Sequence, residues 1–463
     1  MFIGRENELS ILKSRLNSPN YELGIIYGQR RIGKTSLIIE ATKEFDSLYF
    51  LSRDDSYQNN LSYFSDVYRQ YLNLPYSPSF KTFDELFNTI VESSKKKLVI
   101  VIDELPFLAK SYPGILSYLQ LLCDKLKREN RDIKIVLSGS DMSFMMDLLN
   151  NKAKPLYQRS TFKIHVLPML FSDAAKMLDG INNIDTIKYL SIFGNRPYYL
   201  DKIDKNKTFE DNIISLCFDD GSILLDAPNL TLPLGYVTNS TYIAILVALA
   251  NHKNRVKEIS DQLHIADNAL SIYLSRMLEG GSIEKRTMFK GSQRTNYYEI
   301  SDPFIRFYYR VMYMSLMDIE RGLGESVYKT KQTIIEDIIN HGFEDAVISY
   351  LDELNRNNNL PNTYHSFQKY KVDNSKLGRS IEIDALSDSL DGTSLLAVEA
   401  KFKNKNLSLQ VLEHLKENVS LFAKNFKNVD YYLFSKSSFG NDLLNLKDNN
   451  VHLISLETML IKR

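Results

Sequence analysis

Cysteine is scarce in this 463-residue sequence, which contains only Cys123 and Cys217. The two residues lie far apart in the chain, and neither has a histidine beside it. Structural zinc and iron–sulfur sites need clusters of cysteine and histidine, and disulfide-rich folds need several cysteine pairs. The sequence therefore argues against all three, and it fits a reducing cellular compartment.

The sequence also lacks an excess of charge of either sign. Lysine and arginine together number 57, as do aspartate and glutamate, so the formal net charge is +0. Any affinity for nucleic acid must then come from local basic patches. Hydrophobic residues make up 44% and charged residues 25%, the balance of a folded globular protein with several cores.

Long apolar runs are missing as well. The longest conspicuous run, residues 242–250, is far shorter than the ~18 residues that a membrane-spanning helix needs. The opening residues 1–6 lack the apolar core of a signal peptide. We therefore expect a cytoplasmic protein with no membrane partner, and its length favours about three compact domains.

A glycine-rich loop follows the first strand pattern. Residues 23–27 are mostly apolar, and the pattern after the loop is helical. This order of strand, glycine-rich loop and helix is the context that a P-loop requires. The predicted phosphate-binding residues are Gly28, Gln29, Arg30, Arg31, Ile32, Gly33, Lys34, Thr35 and Ser36.

The residue types in this loop explain the chemistry. Gly28 and Gly33 let the backbone turn its N–H groups toward the phosphates. Lys34 places a positive charge on the β and γ oxygens, and Thr35 offers a hydroxyl ligand to Mg²⁺. The sequence therefore predicts that the protein binds ATP and Mg²⁺.

An acidic pair follows a second apolar strand pattern. Residues 98–102 form a continuous apolar run, typical of a parallel strand buried on both faces. Asp103 and Glu104 stand at its carboxyl end, where open α/β sheets bind ligands. We expect Asp103 to hold Mg²⁺ through water and Glu104 to polarise the attacking water.

Two further residues are candidates for the same site. A third strand pattern, residues 133–137, is followed by Ser138 and Ser140, and one of these serines, Ser138 being the candidate named for the site, could contact the γ-phosphate. Arg159 could supply the positive charge that completes the transition state, either within its own subunit or in a neighbouring copy of a homo-oligomer. A loop arginine that only faces solvent is the alternative for Arg159.

Several segments together resemble the archaeal ATPase family, a prokaryotic branch of the AAA+ and STAND-like P-loop ATPases. These segments are residues 2–9, 28–35, 103–104, 137–140 and 197–200. The resemblance covers about the first half of the chain. It implies a RecA-like P-loop ATPase core with a helical lid, and packing of the backbone around Phe2 and Ile3 against adenine.

One segment departs from the family pattern. Members of the family usually have two glycines before the apolar residue and the proline, whereas this chain has Gly194, Asn195, Arg196 and Pro197. Arg196 is therefore either an added phosphate sensor or a neutral variation, and the sequence leaves both open.

The middle of the chain has a helix-turn-helix pattern. Three short amphipathic helices are predicted at residues 242–250, 256–263 and 269–279, and two strands at 283–286 and 297–300. This order is typical of a winged helix, whose third helix enters the DNA major groove. The residues predicted to face DNA are Asn268, Ser271 and Arg276 on that helix, with Lys290 and Arg294 in the wing.

The charge of this segment is modest for a DNA reader. Residues 241–300 contain eight Lys or Arg and six Asp or Glu, a net of 8 − 6 = +2. Winged helices also serve as protein-interaction modules. We expect DNA as the partner, with protein contact as the alternative.

The last third carries a pattern of acidic residues and one lysine on predicted strands. Asp384 and Glu399 fall on two apolar strands with a short connection, so they can converge at one edge. Lys401 lies two residues beyond Glu399 and therefore on the same face. Two carboxylates that hold Mg²⁺ beside a lysine suit phosphodiester hydrolysis, and Glu344 could add a ligand from a helix opening at His341.

This region resembles the PD-(D/E)xK restriction-endonuclease-like fold, particularly the branch with Holliday-junction resolvases. The resemblance covers about the last 120 residues and rests on residues 382–384, on 399–401 and on the following helix 409–419. The proline of the family's name is absent. A nuclease-like fold used only for binding is the alternative.

The sequence thus predicts an α/β protein with five segments. They are a P-loop ATPase core at residues 1–165, a helical lid at 166–235, a winged helix at 236–312, a helical connector at 313–340 and a nuclease-like domain at 341–463. The expected function is ATP hydrolysis that controls a Mg²⁺-dependent nuclease centre acting on DNA. The alternative is a nucleotide-switched regulator or scaffold that cuts nothing.

Overall fold

The computed structural model describes residues 2–94, 96–290, 296–374 and 379–461. The chain divides into two compact units, Met1–Leu167 and Pro168–Arg463. Arg294, predicted to lie in the wing, falls outside the described residues. Within the described ranges, no helix combines the length and the apolar character needed to cross a membrane.

The first unit is built on a five-stranded parallel sheet. Its strands are β1 (Glu22–Tyr27), β2 (Ser47–Leu51), β3 (Leu98–Asp103), β4 (Ile133–Gly139) and β5 (Phe162–His165). Their order across the sheet is β2-β3-β4-β1-β5, and every neighbouring pair is parallel. The predicted α/β class is confirmed, because helices separate successive strands as parallel connections require.

Three strands were predicted from the sequence, and two were not. Every residue of β1, β3 and β4 is buried. The strands are mostly apolar, and β3 has a continuous apolar run over residues 98–102, because helices cover both faces of the sheet. The edge strands β2 and β5 are shorter and alternate between buried and more exposed residues, so they leave no such run.

Helices cover both faces of this sheet. Two apolar clusters form the core, and each takes alternate residues of the central strands, such as Ile25 in one and Ile26 in the other. The helices of this unit are Glu6–Asn17, Lys34–Thr42, Tyr57–Tyr71, Phe83–Ser93, Leu105–Ser111, Ile115–Arg128 and Met142–Asn150.

The second unit begins with helices. The α-helices before residue 240 are Phe171–Met177, Asn183–Phe193, Pro197–Leu200, Phe209–Ile213, Ala227–Thr231 and Leu234–Thr238, joined by a π-helix at Ile214–Phe218 and a 3₁₀ helix at Ile223–Asp226.

Three helices and a hairpin follow at the positions predicted for a winged helix. The helices are Ser240–Ala250, Val256–Leu263 and Asp267–Glu279. Strands β6 (Ile283–Arg286) and β7 (Tyr297–Ile300) pair antiparallel. The apolar residues of the helical repeat are buried, as their spacing predicted: Ile259, Leu270, Leu274 and Met277.

The remainder of the second unit contains a five-stranded mixed sheet. Its strands are β8 (Gln368–Asn374), β9 (Arg379–Asp388), β10 (Ser394–Lys401), β11 (Asn428–Ser435) and β12 (Val451–Ser455), in the order β12-β11-β10-β9-β8. Strands β8, β9 and β10 are antiparallel neighbours, whereas β10, β11 and β12 run parallel.

Helices surround this sheet and precede it. The α-helices are Pro303–Phe307, Leu316–Asp318, Gly324–Thr330, Gln332–Arg356, Leu409–Ala423, Asn441–Leu444 and Leu456–Leu460. Shorter π and 3₁₀ turns lie at Tyr308–Met312, Tyr313–Ser315 and Ile319–Leu323.

The helix Gln332–Arg356, here called the long helix, begins nine residues earlier than predicted from His341. The predicted boundary between residues 340 and 341 therefore falls inside one continuous helix. Ile335, Ile338 and Ile339 are buried and continue the helical repeat toward the N-terminus. Because neither glycine nor proline interrupts residues 332–341, nothing in this segment breaks the helix before His341.

The wing that follows β6 packs into the core of the C-terminal sheet. Phe289 is 3% exposed and belongs to the same apolar cluster as Leu386 and Leu395. Its backbone N–H donates to the carbonyl oxygen of Lys369 at 3.3 Å. The hairpin is thus anchored to the sheet by an aromatic side chain and a main-chain hydrogen bond.

We expect the Phe289→Ala variant to be destabilised by about 3–5 kcal/mol, because the lost ring leaves a cavity in a packed core. Thermal unfolding followed by circular dichroism should show a lower Tm. Met314→Ala, which truncates a side chain that is 79% exposed in the same unit, is the control and should unfold like the parent. Equal Tm values for all three proteins would show that the wing does not contribute to this core.

Candidate functional site

The glycine-rich loop lies between β1 and the helix Lys34–Thr42. Gly33 has a φ of 97°, a left-handed conformation that costs glycine little. At Gly28, a Cβ atom would lie 2.4 Å from the carbonyl oxygen of Val166, so the backbone passes too close for a side chain. The two glycines are therefore required for different reasons, one conformational and one steric.

Lys34 is buried at the start of this helix. Its Nζ donates to the carbonyl oxygens of Gly28 at 3.0 Å and Gln29 at 2.9 Å. Burial lowers the pKa of Lys34, while Glu104 and Asp103 act in the opposite direction. The ammonium group is thus held over the loop by two main-chain acceptors.

Asp103, at the carboxyl end of β3, accepts hydrogen bonds from several hydroxyl groups. Its side chain is fully buried and accepts hydrogen bonds from Thr35 Oγ1 at 2.8 Å and Ser138 Oγ at 2.6 Å. The neighbouring strand β4 brings Ser138 to this edge. Three residues predicted independently, Thr35, Asp103 and Ser138, therefore lie together.

Tyr49 on β2 completes this group and was not predicted. Its hydroxyl donates to Asp103 Oδ2, and burial, followed by Asp103, raises the pKa of Tyr49. The contact depends on the parallel pairing of β2 with β3. Because β2 has no continuous apolar run, Tyr49 could not be assigned to this site from the sequence.

Glu104 leaves β3 in a strained conformation. Its φ of 54° is left-handed, which is uncommon outside glycine and costs on the order of 1 kcal/mol or more. Its Oε2 accepts hydrogen bonds from the backbone N–H of Ser140 at 3.1 Å and from Ser140 Oγ at 2.9 Å. Ser140, one of the two serines expected at this edge of the sheet, therefore fixes the direction of this carboxylate.

The other predicted residues of the first unit lie as follows. Arg159 makes a two-pronged contact with Asp124, at 3.1 and 3.2 Å, and donates to the carbonyl of Pro155 at 3.0 Å. None of these bonds reaches the glycine-rich loop. Phe2 is half-buried and packs against an apolar cluster that includes Ile38, and Ile3 is also half-buried.

Arg5 supports the loop from outside and was not singled out from the sequence. It is buried, and its Nη2 donates to the carbonyl of Ile32 at 2.9 Å while Nη1 pairs with Glu8 at 3.1 Å. Its place in the opening segment 2–9 was the only available signal. In the loop itself, Gln29 and Arg30 are half-buried, whereas Arg31, Thr35 and Ser36 are exposed.

A buried parallel sheet, a lysine-bearing glycine loop that enters a helix, and an acidic pair at the end of β3 define the P-loop class of ATPases. Residues 2–203 match the family model described as an ATPase domain predominantly from Archaea. The resemblance inferred from the sequence is thereby confirmed for this part of the chain, which is similar to the ATPase domains of that family. The protein is a P-loop ATPase.

Comparison with other proteins extends the similarity beyond this domain. Residues 308–417 match a model described as archaeal and bacterial proteins of unknown function. The chain is 28% identical over 406 residues to an uncharacterized protein of Methanocaldococcus jannaschii, covering 87% of this chain and 88% of that one. The Walker-type ATPase paby2304 of Pyrococcus abyssi is similar in fold, with 19% identity, a TM-score of 0.51 and coverage of 66% of this chain and 96% of that chain.

A second set of predicted site residues meets in the C-terminal sheet. Val398 on β10 pairs with Ala385 on β9, so Glu399 and Asp384 are adjacent across the strands. Lys401 Nζ lies 2.5 Å from Glu399 Oε1 and 3.4 Å from Asp384 Oδ2. The backbone N–H of Ala400 donates to the same Asp384 oxygen at 2.8 Å.

Glu344 on the long helix interacts electrostatically with Asp384 and also belongs to a network of charged residues. Its Oε2 lies 2.9 Å from Lys369 Nζ, and Lys369 also lies 3.4 Å from Asp345. Burial raises the pKa of Glu344, opposed by Lys369 and supported by Asp384. Lys369 and Asp345 were not predicted, because no local pattern distinguishes them from ordinary polar residues.

The network continues into the winged segment. Asp345 pairs with Arg306 at 3.0 Å. In the hairpin, Arg286 pairs with Glu299 at 3.0 Å. Lys369, Arg306 and Arg286 lower the pKa of Asp345 although burial acts the other way. Charged residues of the hairpin are thus electrostatically linked to the helix that carries Glu344.

The residues predicted to contact DNA lie in two environments. Asn268, Ser271 and Arg276 are exposed on the third helix of the winged segment. Lys290 is exposed too, but its ammonium group lies 4.4 Å from the ring centroid of Phe426.

Arg196, the departure from the family pattern, is buried and pairs with Asp302 at 3.3 Å in the second unit.

Proposed function

We propose that this ATPase acts on DNA and that its nucleotide state controls a Mg²⁺-dependent nuclease centre in the C-terminal sheet. The convergence of Asp384, Glu399 and Lys401 on the neighbouring strands β9 and β10 is the observation that carries the nuclease proposal. The ATPase part rests on the family and on the loop geometry described above.

In the first unit, Glu104 is the proposed general base. Its carboxylate accepts a proton from water, the water oxygen attacks the γ-phosphorus, and the bond to the β–γ bridging oxygen breaks to give ADP and phosphate. Lys34 is the proposed ligand of the β and γ oxygens, and Ser138 is the proposed contact to the γ-phosphate. Thr35 and Asp103 are the residues that would hold Mg²⁺, which supplies charge neutralisation on the phosphates when bound.

The donors around Asp103 fit this ion. A carboxylate and a hydroxyl are the hard oxygen ligands that Mg²⁺ prefers, and Thr35 Oγ1 lies only 2.8 Å from Asp103 Oδ2. The remaining predicted contacts, from Phe2 and Ile3 to adenine and from Arg159 to the transition state, stay predictions. The pairing of Arg159 with Asp124 means that this arginine must leave Asp124 before it can reach a nucleotide.

The C-terminal carboxylates also fit a divalent cation. Burial, followed by repulsion from Asp384, raises the pKa of Glu399 to about 7. Two carboxylates that disfavour each other's ionisation are stabilised by a shared positive charge. Asp384 and Glu399, with Glu344 from the long helix, would hold Mg²⁺, whose charge when bound activates water and neutralises phosphate.

Lys401 has the role of stabilising the transition state. Its ammonium group already lies beside both carboxylates and can donate to a non-bridging phosphate oxygen as negative charge develops there. In the proposed reaction, water loses a proton as its oxygen attacks phosphorus, one ester P–O bond breaks, and the leaving oxygen takes up a proton. Because Asp384 is a proposed metal ligand and Lys401 a proposed phosphate contact, replacing either residue tests the proposal directly.

Plasmid and branched DNA incubated with the protein, Mg²⁺ and ATP should be cleaved. We expect cleavage to be lost in Asp384→Asn and in Lys401→Ala, because the first removes a ligand charge and the second the proposed phosphate contact. Lys403→Ala, which removes an exposed lysine two residues further along, is the control and should cut normally.

The alternative is a nucleotide-switched regulator or scaffold that binds DNA or protein without cutting. The docked wing favours it, because Phe289 is buried in the C-terminal core and Lys290 lies against Phe426. The exposed face with Asn268, Ser271 and Arg276 still offers a binding surface. If DNA stays intact after incubation with wild-type protein, with and without ATP, the nuclease proposal is wrong and the regulator is the remaining function.

A further inference from the structure

Three metal-ligating side chains meet at a place that neither site above uses. They are His252, in the turn after the helix Ser240–Ala250, and Asp337 and His341 on the long helix. One ligand atom from each residue can be chosen so that all three lie within 4.8 Å of one another. His252 of the winged segment therefore lies close to Asp337 on the long helix, more than 80 positions later in the chain.

The backbone explains why these residues converge. Asp337 and His341 are four residues apart on one helix, so their side chains share a face. His252 has a φ of 63°, and its N–H bonds the carbonyl of Leu249 at 3.1 Å, which closes the turn after its helix. The rings of His252 and His341 consequently lie with centroids 5.0 Å apart.

We propose that His252, Asp337 and His341 bind a divalent transition-metal ion, with Zn²⁺ as the representative ion and water as the remaining ligand. His252 Nε2 lies 3.7 Å from Asp337 Oδ2. In a tetrahedral zinc site with bonds of about 2.0–2.1 Å, ligand atoms lie roughly 3.4 Å apart. The His252 and Asp337 ligand atoms are therefore within a few tenths of an ångström of that separation, and the whole set lies within 4.8 Å.

The ring of His341 is already oriented by its own helix. Its Nδ1 lies 3.0 Å from the carbonyl oxygen of Asp337. A carbonyl can only accept, so Nδ1 carries the proton in this hydrogen bond and Nε2 keeps its lone pair. Metal-bound histidines typically use one ring nitrogen for the ion and donate from the other to such an acceptor.

The ligand types favour a transition metal over Mg²⁺. Two imidazoles and one carboxylate suit zinc, cobalt or nickel, whereas Mg²⁺ prefers oxygen ligands. The side chains of all three residues are 41–47% exposed, so an ion and water can reach them. Three protein ligands with water in an open position is the usual pattern of a non-structural zinc site.

Arg310 opposes the ion and so sets its affinity. Its guanidinium lies 2.6 Å from Asp337 Oδ2, where it competes with a cation for that carboxylate. The other oxygen, Oδ1, lies on the side of His341, at 3.6 Å from its Nδ1. Arg310 therefore competes for Oδ2, the oxygen that also faces His252. An ion bound there has to displace the guanidinium, and like-charge repulsion weakens its binding.

A bound ion would tie the first helix of the winged segment to the long helix. His341 lies three residues before Glu344, nearly one turn along the same helix. The ion would therefore fix the winged segment against the helix that carries Glu344. Because it binds only the folded arrangement, it should also raise the Tm of the protein.

The test uses the full chain stripped of metal with a chelator and then titrated with ZnCl₂ by calorimetry, in excess Mg²⁺ to fill oxygen-only sites. Wild-type protein should bind one equivalent of Zn²⁺, and Co²⁺ should give visible absorption bands. His252→Gln and His341→Gln should lose that equivalent. His414→Gln, whose side chain is 58% exposed on a different helix, should retain it.

Arg310→Gln should bind Zn²⁺ more tightly than wild type, which a purely structural role of the cluster would not produce. Circular dichroism of each variant establishes that it is folded. Folded wild-type protein that takes up no Zn²⁺, or a folded double variant His252→Gln/His341→Gln that binds it as wild type does, would overturn the proposal. Neither outcome bears on the ATPase or nuclease proposals, whose tests change other residues.

Discussion

Replacement of Lys34 by alanine should weaken ATP binding by about 100-fold, the effect of losing a charge-assisted contact worth about 1.5–3 kcal/mol. The ammonium group is held over the glycine-rich loop by the carbonyls of Gly28 and Gln29. Removing it leaves the loop amides but no positive side chain at the β and γ oxygens. Calorimetric titration with Mg²⁺–ATP measures the change directly.

The matched control for this experiment is Lys43→Ala. Lys43 follows the same helix, is 60% exposed and pairs with Glu40, so its loss should leave ATP affinity unchanged. If Lys34→Ala binds ATP as tightly as Lys43→Ala, then the loop is not the phosphate site. The assignment of ATP binding to the first unit would then also be wrong.

Glu104→Gln should separate binding from chemistry. The amide has the shape of the carboxylate and can keep an oxygen toward Ser140, but it cannot accept a proton from water. We expect ATP to bind with nearly unchanged affinity while hydrolysis slows by about 10²–10⁴-fold, the usual contribution of a positioned general base. Phosphate release under saturating ATP is the measurement.

Glu129→Gln provides the comparison for this variant, since Glu129 is an exposed carboxylate after the helix Ile115–Arg128. It should hydrolyse ATP at the wild-type rate. Normal turnover by Glu104→Gln would mean that another group activates water. The strained backbone at Glu104 and its two bonds from Ser140 would then need a different explanation.

The two variants also distinguish the proposed functions from each other. If nucleotide state controls the C-terminal centre, then DNA cleavage should change in Glu104→Gln, which is held in the ATP-bound state. A regulator without nuclease activity would show changed binding to DNA or protein, and no cleavage. Lys34→Ala should behave in both cases like the nucleotide-free protein.

The positions of the P-loop residues could be predicted because they are contiguous. Gly28, Gly33, Lys34 and Thr35 lie within eight positions, and short-range backbone geometry fixes their arrangement. The strands β1, β3 and β4 were predictable because burial on both faces makes them mostly apolar, and β3 carries an unbroken apolar run. Asp103 follows such a run, so its place at the carboxyl edge of the sheet also followed from the sequence.

The partners of these residues could not be predicted. Tyr49 reaches Asp103 only through the pairing of β2 with β3, and Ser140 reaches Glu104 only through the order of strands in the sheet. Such contacts depend on which strands become neighbours. A one-dimensional pattern of apolar and polar residues does not contain that information.

The C-terminal half divides in the same way. The alternation of strand residues and the short connection from β9 to β10 were enough to predict that Asp384, Glu399 and Lys401 lie close together. The sequence by itself thus determined the residues whose positions follow from local geometry. Only the tertiary structure decided that Lys369 holds Glu344, that Phe289 enters the C-terminal core, and that His252 meets Asp337 and His341. These contacts join distant segments, and their geometry is set by the packing of whole elements rather than by any spacing along the chain.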